Sequence, residues 1–297
     1  MPDWFDQNVK CKYLHFFQDN SKKLFLLSLM EENSKFEVID LDISFKIPVW
    51  HRSVISQQGE IFLTGGLNSQ RFEDQNSREV FSYDFERKTL RQRKSMNIGR
   101  NSHGICILQD YIYVVGGGTN DSGYSTECER FRINPRNAEE WERIASLNIP
   151  SFAPALVAFN NKYLYKIGGM LTVETVNNVI ERYDPEADTW TQIKVEFDLM
   201  AYCSVSQINN NEILIFGGSD GETKTNKVFS LQVDMNKLES QKMKLPYYGT
   251  FWTNPVVFND KLFSLQNVEF SKSNAILLGK KKVLCFNGNS WYEIYTD

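Results

Sequence analysis

The residues of this chain that could carry out chemistry are few and scattered. Its histidines are His15, His51 and His103, and a metal site or an activated nucleophile needs such a residue beside a second ligand or a nucleophile. Ser102 directly precedes His103, but neighbours on a strand point to opposite faces, so they cannot form a nucleophile and base pair. The cysteines form no CxxC or CxxH motif; they are Cys11, Cys106, Cys128, Cys203 and Cys285. We therefore expect no catalytic residue, no metal, no cofactor and no disulfide framework.

The overall composition narrows the classes of partner. The net charge of -4 and the pI of about 5.6 give no basic surface for nucleic acid or an anionic membrane. The start of the chain, "MPDWFDQNVK", lacks the apolar core of a signal peptide, and no run is long enough for a membrane span. We expect a cytoplasmic location, with no nucleic-acid or membrane partner.

The elements that would position a site are indicated by a repeat. Four strand-like runs end in a glycine pair, and the first glycines, at 65, 116, 168 and 217, are 51, 52 and 49 residues apart. The runs are "IFLTGG", "IYVVGG", "LYKIGG" and "ILIFGG", ending at Gly65-Gly66, Gly116-Gly117, Gly168-Gly169 and Gly217-Gly218. A polar turn precedes each run, at "ISQQGEIF", "ILQDYIY", "AFNNKYLY" and "QINNNEIL", with a fifth turn at "VFNDKLF". Such turns join antiparallel strands.

Two further strand-like runs follow each glycine site. The last run of each unit begins at Phe36, Leu90, Trp141, Trp190, Leu238 or Trp291. Degenerate units stand at both ends, where "KYLHFF" and Gln266-Asn267 take the place of the glycine-pair strand. The pattern predicts an all-β chain of six units with four short antiparallel strands each. Their approximate bounds are 1-48, 49-98, 99-150, 151-198, 199-247 and 248-297.

The repeated pattern is apolar residues before Gly-Gly, then a Tyr-Asp pair and a Trp, at a period near 50 residues. In this pattern the chain resembles kelch repeats. The unit with "YLYKIGG" and "VIERYDPEADTW" is most similar. The resemblance implies a single six-bladed kelch-type β-propeller over residues 1-297, with residues 3-9 as the inner strand of the first blade. The glycine pairs are then structural, leaving bare backbone for large aromatic side chains to pack on. The structural aromatic residues are Tyr83, Tyr183, Trp141, Trp190 and Trp291.

In a propeller, function lies on the connecting loops and at the mouth of the channel. Kelch proteins that capture peptides often carry an arginine sixteen residues before the glycine pair, and Arg100 has that spacing to Gly116. The corresponding residues elsewhere are not basic: Val49, Phe152, Ala201 and Thr250. This departs from kelch receptors for acidic peptides. We predict a rim that binds a protein or peptide partner, made of Trp50, His51, Arg100, Ser102, Phe152, Tyr202, Phe251 and Trp252.

The resemblance leaves several roles open. Kelch propellers select substrates for ubiquitin ligases when joined to BTB or F-box regions, and others bind cytoskeletal proteins. Galactose-oxidase-like copper sites need more convergent histidines than this chain offers, and the ExxxDxxxH iron motif of nitrile-specifier-like proteins is absent from the sequence. The alternative is a sugar-binding or mutarotase-like kelch enzyme, so a small-molecule ligand stays open. We expect an interaction module, not an enzyme.

Overall fold

The computed structural model describes residues 13-30, 36-68, 75-85, 87-120, 123-133, 140-195, 200-219, 222-251, 254-258, 261-267, 281-287 and 290-296. The regular structure among these residues is β-strand, as the repeat pattern predicts. No helix among them is long and apolar enough to cross a membrane.

The first three units each contribute one main antiparallel sheet. Sheet 1 is made of β1 (Tyr13–Phe17), β2 (Lys23–Ser28) and β3 (Glu37–Asp40). The second unit contains β4 (Arg52–Ile55), β5 (Ile61–Thr64), β6 (Leu67–Asn68), β7 (Gln75–Asn76), β8 (Val80–Asp84) and β9 (Thr89–Arg93). The third contains β10 (Arg100–Asn101), β11 (Gly104–Leu108), β12 (Tyr111–Val115), β13 (Gly118–Thr119), β14 (Gly123–Tyr124), β15 (Cys128–Arg132) and β16 (Trp141–Ile144). Sheet 2 has the order β4-β5-β8-β9 and sheet 3 the order β11-β12-β15-β16, while β6-β7 and β10-β13-β14 form small ribbons.

The remaining units repeat this order. Sheet 4 is β17 (Ala155–Phe159), β18 (Tyr163–Ile167), β19 (Ile180–Asp184) and β20 (Thr189–Ile193). Sheet 5 is β21 (Ser204–Asn209), β22 (Glu212–Phe216), β23 (Val228–Gln232) and β24 (Lys237–Ser240). Sheet 6 contains β25 (Thr250–Phe251), β26 (Val256–Phe258), β27 (Lys261–Asn267), β28 (Lys281–Phe286) and β29 (Trp291–Thr296), with β25 and β26 both paired to β27.

Buried side chains join each sheet to the next and the last sheet to the first. Leu26 of sheet 1 shares a core cluster with Leu63 of sheet 2, and the opposite face of sheet 1 packs Phe16 with Val256 of sheet 6. Equivalent clusters join sheets 2 and 3, 3 and 4, 4 and 5, and 5 and 6. The described sheets therefore form a closed ring, the architecture of a β-propeller. Residues 3-9 lie outside the described part, so the inner strand of the first unit and the blade number stay predictions.

The glycine pairs are the points at which neighbouring units meet. Gly168 and Gly169 have φ angles of 61° and 102°, which glycine adopts at little cost. A Cβ on Gly168 would overlap the carbonyl oxygen of Met200, and the Gly169 amide donates to that oxygen at 3.3 Å. The same bond recurs from Gly66 to Arg100, Gly117 to Ser151 and Gly218 to Gly249, each at 2.9 Å. The prediction that these glycines make room for aromatic rings is wrong, because they make room for the backbone of the next unit.

A second set of backbone bonds runs around the channel through the lead-in segments, which are residues 48-51, 100-103, 151-154 and 200-203. The Ser102 amide donates to Trp50 O at 2.9 Å, Ala153 to Ser102 O at 2.8 Å, and Tyr202 to Ala153 O at 3.3 Å. All four of these residues have positive φ angles, between 47° and 56°. Each lead-in segment is thus held by hydrogen bonds from its neighbours.

The aromatic residues of the repeat lie in the core between sheets. Tyr83, Tyr183, Trp141, Trp190 and Trp291 are all buried. The Trp190 indole donates to Ala145 O of the preceding unit at 2.8 Å, and the Trp141 indole donates to Lys94 O at 2.9 Å. These bonds link neighbouring units at their outer strands, where the glycine pairs do not reach.

Arg100 is fully buried, and hydrogen-bond acceptors surround its guanidinium group. Its guanidinium donates to Glu129 Oε1 at 2.7 Å and to the carbonyl oxygens of Gly116 and Glu127 at 2.8 Å. Glu129, also fully buried, accepts from the Asn97 amide at 2.7 Å. This ion pair ties the lead-in segment 100-103 to β15.

We predict that Gly168→Ala lowers the free energy of unfolding by about 2 to 3 kcal/mol, the upper part of the usual range for point mutations. Gly123→Ala is the matched control, because Gly123 has a φ of 67° but open space around its Cβ position; it costs about 1 kcal/mol. Urea denaturation of both variants measures the difference. Equal losses would show that the contact with Met200 is unimportant.

Breaking the buried ion pair is expected to lower the free energy of unfolding by more than Gly168→Ala does. Arg100→Met leaves the Glu129 carboxylate buried without its cation and should lower the free energy of unfolding by about 3 kcal/mol or more. Glu129→Gln in the same chain should recover part of the loss, as measured by chemical denaturation of the single and double variants. Strict additivity of the two single effects would rule out the coupling.

Candidate functional site

The antiparallel order divides the loops between two ends of the ring. The glycine face carries the glycine pairs, the connections 65-79, 116-127, 168-179 and 217-227, and the lead-in segments. The hairpin face carries the turns 56-60, 109-110, 160-162 and 210-211. The predicted rim belongs to the glycine face.

Two members of the predicted rim are not accessible. Arg100 and Ser102 are both 0 % exposed, Arg100 because its charge is neutralised by Glu129 and Ser102 because its backbone belongs to the ring of lead-in bonds. The expectation that they face a partner is therefore wrong. The spacing of sixteen residues before a glycine pair also selects positions that are not equivalent in the fold. The carbonyl oxygen of Arg100 accepts from a glycine-pair amide, and in the next unit Ser151 does so, not Phe152.

Two aromatic members of the rim, Phe152 and Tyr202, reach the surface. Phe152 and Tyr202 are half-buried, with ring centroids 6.3 Å apart in an edge-to-face arrangement. Tyr124, from the connection 116-127, stacks on Phe152 at 4.8 Å. We call Tyr124, Phe152 and Tyr202 the aromatic cluster. Tyr124 lies in one of the connecting loops on which we expected function to lie. Only the fold shows that its ring reaches Phe152.

Other apolar side chains on the glycine face are more exposed. Trp50 is 37 % exposed and Val173 78 %, and Leu171 and Tyr248 are also exposed. Burial raises the pKa of Tyr202 to about 12, so its hydroxyl is a neutral hydrogen-bond donor at physiological pH. This face offers aromatic and aliphatic groups at its surface.

The remaining predicted rim residues are His51, Phe251 and Trp252. His51 is half-buried and its Nδ1 lies 3.1 Å from Asp19 Oδ1 and 2.9 Å from Pro48 O. The backbone of Phe251 forms part of β25, but its side chain and the whole of Trp252 lie outside the described residues.

Each of the two histidines in the interior has one ring nitrogen bonded to a hydroxyl group. His15 Nε2 lies 3.1 Å from Ser53 Oγ, and His103 Nε2 lies 2.8 Å from Thr64 Oγ1. Burial lowers the pKa of His15 to about 3 and that of His103 well below its usual value, so both are neutral. In the described part of the chain, no group of three or more His, Cys, Asp and Glu residues could hold a metal ion.

The hairpin face opens into the central channel through a cavity of about 580 Å³. Its mouth is formed by carboxamides from successive units: Gln57, Gln109, Asn160, Asn161, Gln207 and Asn210. Asn254 lines it more deeply, where its Nδ2 donates to Ile105 O at 2.8 Å. Sequence reasoning missed this site, although most of these residues stand in the polar turns that revealed the repeat. Their recurrence at one register was the available signal, since the turns of successive units must meet around the channel.

Comparisons with known proteins agree with the geometry. A family model described as Kelch motif matches residues 151–194. Kelch-like protein 23 of Homo sapiens is 33% identical over 139 residues, which is 45% of this chain and 23% of the relative. Beta-scruin of Limulus polyphemus is 25% identical over 209 residues, 67% of this chain and 22% of the relative. The matches therefore span less than a quarter of these relatives.

The likeness in structure covers nearly the whole chain. The solved structure of YjhT superposes with a TM-score of 0.71 at 10% identity, covering 96% of this chain and 97% of that one. At that identity the superposition speaks to the fold alone. With the repeat spacing, the ring of sheets and the matched motif in agreement, the chain is a β-propeller that contains a kelch motif.

Proposed function

We propose that this chain is a protein-interaction module that binds a partner protein or peptide on its glycine face. The observation that supports this proposal is the aromatic cluster. Aromatic side chains with one accessible face, held by a rigid backbone, are the common anchors of protein interfaces because they bury a large area with little loss of freedom.

The backbone around the aromatic cluster supports a rigid recognition surface. Phe152 exchanges backbone hydrogen bonds with Met170 at 2.9 and 2.6 Å, and the Tyr202 amide donates to Ala153 O. The side chains can therefore contact a partner without the loops first having to order, which lowers the cost of binding.

The burial of Arg100 bears on the class of partner. Its guanidinium is paired with Glu129 and two carbonyl oxygens and is fully buried, so an acidic peptide cannot reach it. The aromatic cluster, Trp50 and Val173 instead favour a partner segment with apolar or aromatic side chains.

The biological setting is a further proposal. Relatives named Kelch-like protein 23 and Kelch repeat and BTB domain-containing protein 1, the latter from Horsepox virus and 38% identical over 86 residues, favour a role as the partner-selecting part of a ubiquitin-ligase adaptor. A cytoskeletal scaffold is the second setting. A cytoplasmic location fits the free thiols of the described cysteines, all of them buried.

The sugar-binding or mutarotase alternative would place its ligand in the channel. The described lining there is mainly carboxamides and aliphatic side chains, which can hold a ligand but do not transfer protons. His15 also lines it, but burial lowers the pKa of His15 to about 3, which makes it a poor base. We therefore infer binding, not catalysis, at both ends of the ring.

We predict that Phe152→Ala combined with Tyr202→Ala weakens binding to a partner recovered by affinity purification by at least about 30-fold, the effect of losing an interface hot spot. Binding is measured by calorimetry with the purified partner. Phe85→Ala is the matched control, because Phe85 is 42 % exposed at a turn of the opposite face. Unchanged affinity in the double variant for every partner recovered would show that the aromatic cluster is not the site.

A further inference from the structure

The cavity on the hairpin face has the size of a ligand site. Its volume of about 580 Å³ lies within the range of about 300 to 1,000 Å³ found for small-molecule pockets. The innermost strands supply its walls, with β11 beside β4 and β17, and β17 beside β21. The site lies at the opposite end of the ring from the aromatic cluster, so it does not depend on the function proposed above.

The carboxamides at the mouth are held in place by one another. Gln109 Nε2 donates to Asn161 O at 3.3 Å, and Gln207 Nε2 donates to Asn160 Oδ1 at 2.6 Å. Asn160 Nδ2 in turn donates to Asn210 O at 2.9 Å. These bonds couple the turns of three successive units, so the mouth is preorganised for a ligand.

Turn geometry explains only some of these residues. Asn160 and Asn161 have φ angles of 51° and 50°, which asparagine tolerates better than most residues. Gln57 does not have a positive φ angle, so the backbone does not require a carboxamide there, whereas the Gln207 carboxamide accepts from Asn160 N at 2.9 Å and donates to Asn209 O at 3.0 Å. The presence of Gln57 at the mouth calls for another reason, and a carboxamide both donates and accepts hydrogen bonds, as a peptide group does.

The deeper lining is aliphatic with a buried polar atom. Most of the wall residues are apolar: Val54, Ile55, Cys106, Ile107, Leu156, Val157, Ala158, Val205 and Val256. His15 also lines the cavity and is 5 % exposed, and its Nδ1 is buried without a hydrogen-bond partner. Since His15 is neutral, no described lining residue carries a formal charge, and a charged ligand would lose its hydration without gaining a counterion.

We propose that this cavity binds an uncharged peptide segment, with an aliphatic side chain inside the channel and backbone amides bonded to the carboxamides at the mouth. The aliphatic wall supplies the affinity, since it removes apolar surface from water. The carboxamides supply the orientation.

The test uses the intact chain with labelled isoleucine, leucine and valine methyl groups. The capped tripeptide acetyl-Ala-Leu-Ala-amide should cause saturable NMR shifts of the methyl groups of Ile107, Val157 and Val205 at concentrations up to about 10 mM, ten times the dissociation constant of a weak millimolar ligand. Acetyl-Asp-Leu-Asp-amide should bind at least tenfold more weakly. Tripeptide shifts confined to Leu171 and Val173, on the glycine face, or no saturable shifts at all, would overturn the proposal.

A substitution at the mouth tests the contribution of the carboxamides. Gln57→Met keeps the length of the side chain and should weaken tripeptide binding at least fivefold, while Gln92→Met, on the exposed outer strand β9, should leave it unchanged. Equal affinity in the two variants would contradict the role given to the carboxamides. Saturable shifts of the same methyl groups by methyl glucoside, without any by the tripeptide, would replace the proposal with a sugar site.

Discussion

The contact between a glycine pair and the carbonyl oxygen of the next lead-in segment is the constraint on which this ring depends. Gly168 leaves room for Met200 O and Gly169 donates to it, and the bond recurs in the other units that have a glycine pair. Sheets that met only through side chains could slide against one another. A backbone bond with no space for a Cβ fixes the position of each unit relative to the next.

This arrangement separates scaffold from recognition. The bonds between lead-in segments, such as Ser102 N to Trp50 O, involve only backbone atoms, so they place few demands on which side chains stand beside them. These backbone bonds therefore do not by themselves require the aromatic side chains of Phe152, Tyr202 and Trp50. The same separation holds at the hairpin face, where Gln57 stands at a position whose backbone would accept other residues.

The fold could be predicted from sequence because its determinants are local and repeated. A glycine pair, a polar turn and a tryptophan such as Trp190 recur at fixed spacing, and their physical roles are nearly independent of the rest of the chain. The position of Arg100 could not be predicted in this way. Its burial depends on Glu129, 29 residues away in β15, and residue counting cannot tell whether a cation near a rim faces solvent or a carboxylate behind it.

The two ends of the ring have different chemistry, and the strands between them keep the two sites independent. An inner strand such as Ala155–Phe159 has five residues and spans about 16 Å. Its side chains are packed against the neighbouring sheets, and close-packed interiors resist small displacements. A partner bound at the aromatic cluster would therefore leave the carboxamide mouth unchanged. Under the two proposals made above, one propeller holds two ligands at once, each bound by its own set of loops.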